Sequence, residues 1–414
     1  MAGCNSRQAI NQRDDAFEDF IPLASKGAKD PNVIFKTYTN GIQSNRDPWV
    51  QNYSREQLKN NVRQFASYYN DAVGSSGSQS FEDWVDSSRI SWTRNLKKRF
   101  SKGEPLDEKF EATLVDYRPF TKQWAAVSRQ IVEYVNQTPA WFSDANSGNR
   151  ILVVSGVGSQ RGYSAFVASN VADVQLIQNG QCYPLQTSSD VEGELFSSSG
   201  SPHSSGITPY AFKRFTAAYP AETITAEDIF YYVYGILMSE DFRNRFSQNL
   251  LKETPRIPVV VKATDFWLFS KAGRTLSDLH VNYEEAEPYP VNFAGGSLLM
   301  DSYTDTDFRV EKMRFGGKGK VKDKSTVIYN GKFTMTDIPL EAYDYVVNGK
   351  PALEWVMERQ VVKTDKDSGI VNDANRYAIE TVGDAAYPLK LFQRIITVSL
   401  ETMKIVRSLP KLDI

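Results

Sequence analysis

Cysteine and histidine are almost missing from this 414-residue sequence, which has two of each. Cys4, Cys182, His203 and His280 are too few and too scattered for a disulfide framework, a zinc site or a histidine-rich metal cluster. Long apolar runs are missing as well, and none approaches the ~18 residues of a membrane-spanning helix. The opening residues, MAGCNSRQAINQRDD, lack the apolar centre of a signal peptide, which predicts a cytoplasmic protein with no membrane partner. Neither sign of charge is in excess: 48 basic residues against 50 acidic ones leave a net charge of −2. This argues against a chain held to nucleic acid by its overall charge and leaves local basic patches open.

What is present is the composition of a packed globular protein, 41% apolar and 12% aromatic. A chain of this length can bury a large core in two or three subdomains. The patterning predicts an α+β fold. Residues 1–106 read as a helical N-terminal and linker region, 107–215 as β-rich, 216–290 as a helical block, and 291–414 as mixed α/β.

In the N-terminal region, Phe17, Phe20 and Ile21 share the spacing of one helical face, so residues 10–70 are expected to be mostly helical. Asn40-Gly41 marks a tight turn. Ser54 is a plausible N-cap with Gln57 completing a capping box, ahead of Leu58, Val62 and Phe65 on one side of a helix. The loop SNRD at 44–47 has two readings. It is a solvated turn with Arg46 paired to Asp47, or a loop in which Asn45 and Arg46 touch a phosphate or a base. After a Gly/Ser-rich linker at 73–80, residues 81–102 read as a helix with Trp92, Leu96 and Phe100 inward. Arg89, Arg94, Lys97, Lys98, Arg99 and Lys102 occur there without an intervening acid. They form either a solvated face or a phosphate-binding one.

Residues 110–185 carry β-branched and aromatic runs between turns. The run ILVVS (151–155) is followed by Gly156, Gly158 and Gly162, and a glycine-rich turn after a strand is where dinucleotide folds hold phosphates. The spacing is one residue too long for GxGxxG, and YSAFVAS after it is short and β-like. A hairpin whose tip carries Gln160 and Arg161 is the better reading. An AdoMet- or nucleotide-binding turn is the alternative. Residues 186–206, which include His203, read as a Ser/Gly-rich surface loop.

The block at 225–283 reads as scaffold. Thr225 caps one helix, Ser239 a second, and a third runs from about Thr264 to His280, a core or capping histidine. Further on, KMRFGGKGKVKDK (312–324) sets six basic residues against one Asp. Its glycines let backbone approach a ligand closely, and Lys318 and Lys320 are its candidates for contact with a DNA backbone. Asn330-Gly331 predicts a type I′ hairpin turn, and the last helix starts near Pro388 and stops before Pro410. Residues 348–377, NGKPALEWVMERQVVKTDKDSGIVNDANRY, read as a Gly turn, a helix, an extended piece and a polar loop.

The order of residues in that last stretch resembles the C-terminal specificity domain of the Type ISP restriction–modification enzymes. These are single chains joining a nuclease, a helicase-like ATPase, an adenine methyltransferase and a DNA target recognition domain. Further segments are similar in the same order: INQRDDAF (10–17), TNGIQSNRDPW (39–49), VDYRPFTKQW (115–124), NGQCYP (179–184), residues 224–237, 255–280 and 338–339, and VSLET (398–402). The resemblance implies recognition of double-stranded DNA. The methyltransferase half would lie before Asn11, joined through the 1–106 region, and its Asn-Pro-Pro-aromatic motif does not occur here. AdoMet, ATP and Mg are accordingly expected only in the absent methyltransferase and helicase–nuclease portions, with no cofactor or catalytic residue in this chain. Charge and loop position nominate Asn45, Arg46, Arg94, Lys98, Arg118, Lys122, Gln160, Arg161, Lys318 and Lys320 as DNA-binding residues. Arg118, beside Pro119 and Phe120, has the competing reading of a strand brace.

Overall fold

The structure, a computed structural model, describes residues 13–26, 30–75, 81–143, 148–188, 203–296, 303–319 and 321–414. Helix α1 (Arg55–Gly74) starts where expected, with the Ser54 hydroxyl accepting from the Gln57 backbone N–H. The Gln57 side chain bonds Asn61 instead of reaching back, so the cap is one-sided. The residues before it are not the expected helix. Phe17 lies in a single 3-10 turn (Asp15–Asp19), and Ile21 begins a two-residue strand paired with Ile257. Phe17 and Phe20 nevertheless pack on Phe246, at 5.3 and 5.2 Å between ring centroids. Three apolar residues within five positions suit one tight turn as well as a helix.

Strand β1 (Thr39–Asn40) runs on past Gly41 to a bridge between Ile42 and Asp173, so no tight turn forms there. Glycine is needed because a β-carbon would lie 2.6 Å from the Asp173 backbone. Between 81 and 102 only α2 (Arg94–Phe100) is α-helical. The Asp86 carboxylate accepts from the backbone and hydroxyl of Ser88, a local turn that competes with helix. The inward face survives, with Leu96 buried and Trp92 and Phe100 in edge contact at 5.6 Å.

Seven further strands build the β-rich region: β2 (Gln51–Asn52), β3 (Ala112–Arg118), β4 (Thr121–Ala126), β5 (Ile151–Val154), β6 (Ala165–Ala168), β7 (Val171–Ala172) and β8 (Gln181–Pro184). They form two four-stranded sheets, ordered β1-β8-β5-β6 and β2-β4-β3-β7, with β3–β7 the parallel pair. The Gly156–Gly162 segment joins β5 to its antiparallel neighbour β6. No helix follows the turn, so this segment lacks the strand–turn–helix unit that cradles a nucleotide phosphate in dinucleotide folds.

In the helical block, α3 (Ala226–Met238) opens on a full capping box of Thr225 and Asp228 and packs along α4 (Ala263–Val281). The two backbones touch at glycines. A β-carbon on Gly273 would sit 1.9 Å from the Tyr231 carbonyl oxygen, and one on Gly235 2.1 Å from that of Phe269. His280 at the end of α4 is a core residue, as expected. Its ring bonds the Tyr234 hydroxyl at 2.6 Å and the Thr402 hydroxyl at 2.9 Å, and it stacks on Phe166 and Tyr345. Burial pushes His280 down to about 3, so it is neutral in the fold. An unfolded histidine titrates near 6.5, so the unfolded chain takes up the proton first. Stability is therefore expected to be intact above pH 6.5 and to fall below it, by about 1.4 kcal/mol per pH unit from this residue. In urea titrations between pH 7 and 5, His280→Gln should lose that part of the slope.

The C-terminal sheet takes β9 (Asn292–Phe293), β10 (Arg314–Gly316), β11 (Asp323–Ile328) and β12 (Thr334–Thr336) in the order β9-β12-β11-β10. Asn330-Gly331 does join β11 to β12, but neither residue takes the positive φ of a type I′ turn. The Asn330 side-chain oxygen accepts from the N–H groups of Lys332 and Phe333 instead, an Asx turn. Helix α5 (Ala352–Arg359), the hairpin of β13 (Val362–Thr364) and β14 (Val371–Asp373), and α6 (Tyr387–Ser408) complete the chain. Gly369 takes φ 69° in the β13–β14 turn, where Asp365 accepts from Ser368. The main apolar core reaches from Phe17 to Val406 and draws on all four expected segments. A second cluster, from Trp49 to Val132, crosses the boundary expected at 106–107. Among the described residues, no helix is long and apolar enough to cross a membrane.

Candidate nucleic-acid interface

Helix α5 gathers three segments that lie far apart in sequence. The tip of the β5–β6 turn is the first. The Arg161 side chain packs where a β-carbon on Gly349 would meet it at 2.9 Å, and its guanidinium stands 5.5 Å from the Trp355 ring. The β10–β11 hairpin is the second, tied on by a bridge between Lys312 and Val361 and by the Val362 N–H donating to the Glu311 carbonyl at 3.1 Å. The β13–β14 hairpin, which directly follows α5, is the third.

Trp355 anchors this assembly. It is fully buried, and its indole N–H donates to the Val347 carbonyl at 2.8 Å. Lys350 and Arg359 join Arg161 around the ring, at 4.4 and 5.6 Å from its centroid. Glu358 answers these three cations with ion pairs to Lys350 and Arg359. Burial alone would raise the Glu358 pKa, but Lys350, Arg359 and Arg161 hold it below the usual carboxylate range.

Most cations of the β10–β11 hairpin are uncompensated. Lys312, Arg314, Lys318 and Lys322 are exposed, and among the described residues none has an acidic partner within ion-pair distance. Gly317 and Gly319 both take positive φ. Gly317 also faces the Val321 carbonyl at 2.2 Å from an added β-carbon, so only glycine fits that bend. Lys324 is engaged by Glu354 at 3.0 Å. A groove of about 430 Å³ between hairpin and helix is lined by Lys312, Arg314, Lys322, Glu354 and Glu358, among others. A smaller cavity of about 240 Å³ shares Glu358 with it and is bounded by Tyr53, Tyr117, Gln123, Arg359, Lys363 and Asn372.

The residues nominated from sequence separate into three groups. Gln160, Arg161 and Lys318 are exposed on the segments that α5 brings together, and Lys320 lies outside the described residues. Asn45, Arg94 and Lys98 are exposed elsewhere. Arg94 and Lys98 ride on α2, which is fastened to Glu133 through Asn95. Asn45 takes φ 54° and accepts a bond from Gln43.

Arg46, Arg118 and Lys122 are engaged in ion pairs inside the fold. Arg46 is 3% exposed, donates to the Ile131 carbonyl and Thr93 hydroxyl, and pairs with Glu133 at 3.7 Å rather than with Asp47. Burial lowers it to about 10, against the pull of Glu133, so it stays charged at neutral pH. Arg118 bridges Asp173 at 2.8 Å and Asp47 at 3.5 Å, which is the brace reading. Lys122 pairs with Glu284 at 2.6 Å. Burial would lower both, but the surrounding carboxylates more than offset it. All three cations compensate acids that folding has removed from water. Arg46→Ala, which strands Glu133, is expected to cost about 3–5 kcal/mol in urea denaturation.

Sequence reasoning passed over Lys312, Arg314, Lys322, Lys350, Arg359 and Lys363. The first three stood in the basic run already singled out. The last three punctuate NGKPALEWVMERQVVK at 348–363, a stretch read for its turn chemistry alone.

A family model described as the Type ISP C-terminal specificity domain matches residues 33–392. No curated protein matches the chain. Three solved structures are similar over 98% of it. A nuclease-deletion mutant of the Type ISP restriction–modification enzyme LlaGI, in complex with a DNA substrate mimic, is 33% identical with a TM-score of 0.80. The ATP-dependent Type ISP enzyme LlaBIII bound to DNA is 31% identical with a TM-score of 0.82, and the DrdV–DNA complex 26% identical with a TM-score of 0.80. The chain spans 35%, 25% and 39% of the length of those three chains, respectively. A match over nearly the whole sequence, joined to the same fold at 33% and 31% identity, means that this chain belongs to the Type ISP C-terminal specificity domain family.

Proposed function

We propose that this chain recognises a specific sequence in double-stranded DNA on behalf of a restriction–modification enzyme. Adenine-N6 methylation and ATP-dependent cleavage belong to the methyltransferase and helicase–nuclease portions, which act in the cytoplasm with AdoMet, ATP and Mg. The chain itself uses no cofactor and makes no bonds.

The carrying observation is the set of unpaired cations Lys312, Arg314, Lys318 and Lys322 on a hairpin tied to α5 through Lys324 and Glu354, with Arg161 packed against Trp355 of the same helix. Its exposed cations, with Lys320, fix the register on the phosphates. Gln160 and Arg161 at the tip of the neighbouring turn suit base edges, glutamine for adenine and arginine for guanine. Asn45, Arg94 and Lys98 form a second, separate set of contacts. The relatives solved with DNA support the same reading.

Fluorescence anisotropy with a labelled duplex over a salt series tests it. Binding is expected to weaken steeply, with log K falling by roughly 0.9 per phosphate contact for each tenfold rise in salt. Absence of binding to any duplex at 50 mM salt overturns the proposal.

A further inference from the structure

The exposed turn between β5 and β6 is fastened at three points by one residue. Gln178, half-buried between β7 and β8, is that residue. Its side-chain oxygen accepts from the Ser159 hydroxyl at 2.8 Å and from the Arg161 backbone N–H at 3.1 Å. Its backbone carbonyl accepts from the Gly156 N–H at 3.1 Å.

Gln178 is itself fixed from across the fold. Its backbone N–H donates to the side-chain oxygen of Asn348, 170 positions further along the chain, at 3.0 Å. Asn348 is buried in a left-handed conformation, with φ 49°. Its own N–H donates at 2.8 Å to the hydroxyl of Ser164, where the turn re-enters the sheet. The next residue, Gly349, is the one whose missing β-carbon leaves room for the Arg161 side chain. Backbone and side chain of the tip are thus both referred to the segment that leads into α5. Two side-chain ends escape this network. The Gln160 amide and the Arg161 guanidinium are exposed and make no hydrogen bond to any described residue.

Resting on the DNA reading above, we infer that Gln178 and Asn348 are positioning residues: they aim Gln160 and Arg161 at base edges and set the sequence preference without touching DNA. Paired hydrogen bonds to a base tolerate little error in the placing of the donors. A turn held by its backbone, with the ends of two side chains left free, meets that demand. The entropy of ordering it is lost on folding and not on binding. Phosphate contacts come from other segments and carry no sequence information, so affinity for duplex in general does not depend on the pair.

The test sequences the duplexes that the full chain retains from a pool with randomised base pairs. The parent chain is expected to enrich a motif. Gln178→Met, close in shape but without the accepting oxygen, should lower the preference for the favoured base roughly tenfold at the base pairs that Arg161→Ala also relaxes. The other positions of the motif, the salt slope on a random-sequence duplex and the melting temperature should match the parent's. Gln178→Glu, which keeps accepting oxygens, should keep the motif. Asn348→Gly, which keeps the left-handed backbone and loses the side chain, should relax the same base pairs and stands in should Gln178→Met not fold. A motif that survives both Gln178→Met and Asn348→Gly, or one that Gln178→Glu also loses, overturns the inference and leaves the DNA reading standing. So does a loss spread over all positions with a lowered melting temperature, the mark of a merely structural role. A parent chain that enriches no motif at low salt overturns the reading of sequence-specific recognition itself.

Discussion

Replacing Lys312, Arg314, Lys318 and Lys322 together with alanine is expected to lower affinity for duplex DNA roughly a thousandfold at 0.1 M salt. Each phosphate contact contributes roughly 0.9 to the slope of log K against log salt, so four lost contacts flatten it by about 3.6. The loss should be the same for every duplex, because phosphate contacts carry no sequence information. All four side chains are exposed and hold no acidic partner among the described residues, so their removal leaves no buried charge behind. The melting temperature is therefore expected to stay close to that of the parent chain. Arg161→Ala should act differently, changing the ranking of duplexes as well as the affinity. An unchanged salt slope in the fourfold variant would move the phosphate contacts to another face, with Arg94 and Lys98 on α2 the next to replace.

Gly273→Val is expected to cost at least about 3 kcal/mol, measured by urea denaturation, and to leave much of the chain insoluble. An added β-carbon would stand 1.9 Å from the Tyr231 carbonyl oxygen and 2.8 Å from the Gly235 backbone nitrogen. Both obstacles are helix backbone, which cannot move aside as a side-chain tip could. The two helices would have to part, and the packing of Tyr232 on Phe266, at 4.9 Å between ring centroids, would part with them. A second glycine at the same crossing, Gly235, faces Phe269 in the same way, so Gly235→Val should fail similarly. Gly331→Val is the control, since an added β-carbon meets nothing there and the residue takes no positive φ. Equal stability losses at 273 and 331 would show that the α3–α4 contact does not limit the fold.

The longest apolar periodicities were legible in the sequence. Pro388 and the inward row through Leu389, Phe392 and Ile396 placed α6, and Thr225 with Asp228 placed the start of α3, because capping and 3.6-residue periodicity are local effects. Short elements were not legible. Phe17, Phe20 and Ile21 satisfy a helical spacing, but a 3-10 turn and a strand bury them equally well. Asn330-Gly331 carried the residues of a type I′ turn, and Asn330 used its side chain to close a different one.

Charge was the least legible property. A sequence shows that Arg46, Arg118, Lys122 and Lys318 are cations and does not show which face water. Glu133, Asp173 and Glu284, remote in the chain from the residues they hold, claimed the first three. The sequence by itself determined the α+β class, the scaffold helices and a glycine-rich basic hairpin, since these depend on residues within a few turns of one another. Only the tertiary structure decided which cations stay free, that Arg161, Lys350 and Arg359 meet around Trp355, and that the hairpin at 312–324 is tied to Val361 and Glu354. Ion pairing and assembly at α5 join positions up to about two hundred residues apart, and burial, which sets the cost of leaving a charge unpaired, exists only once those positions meet.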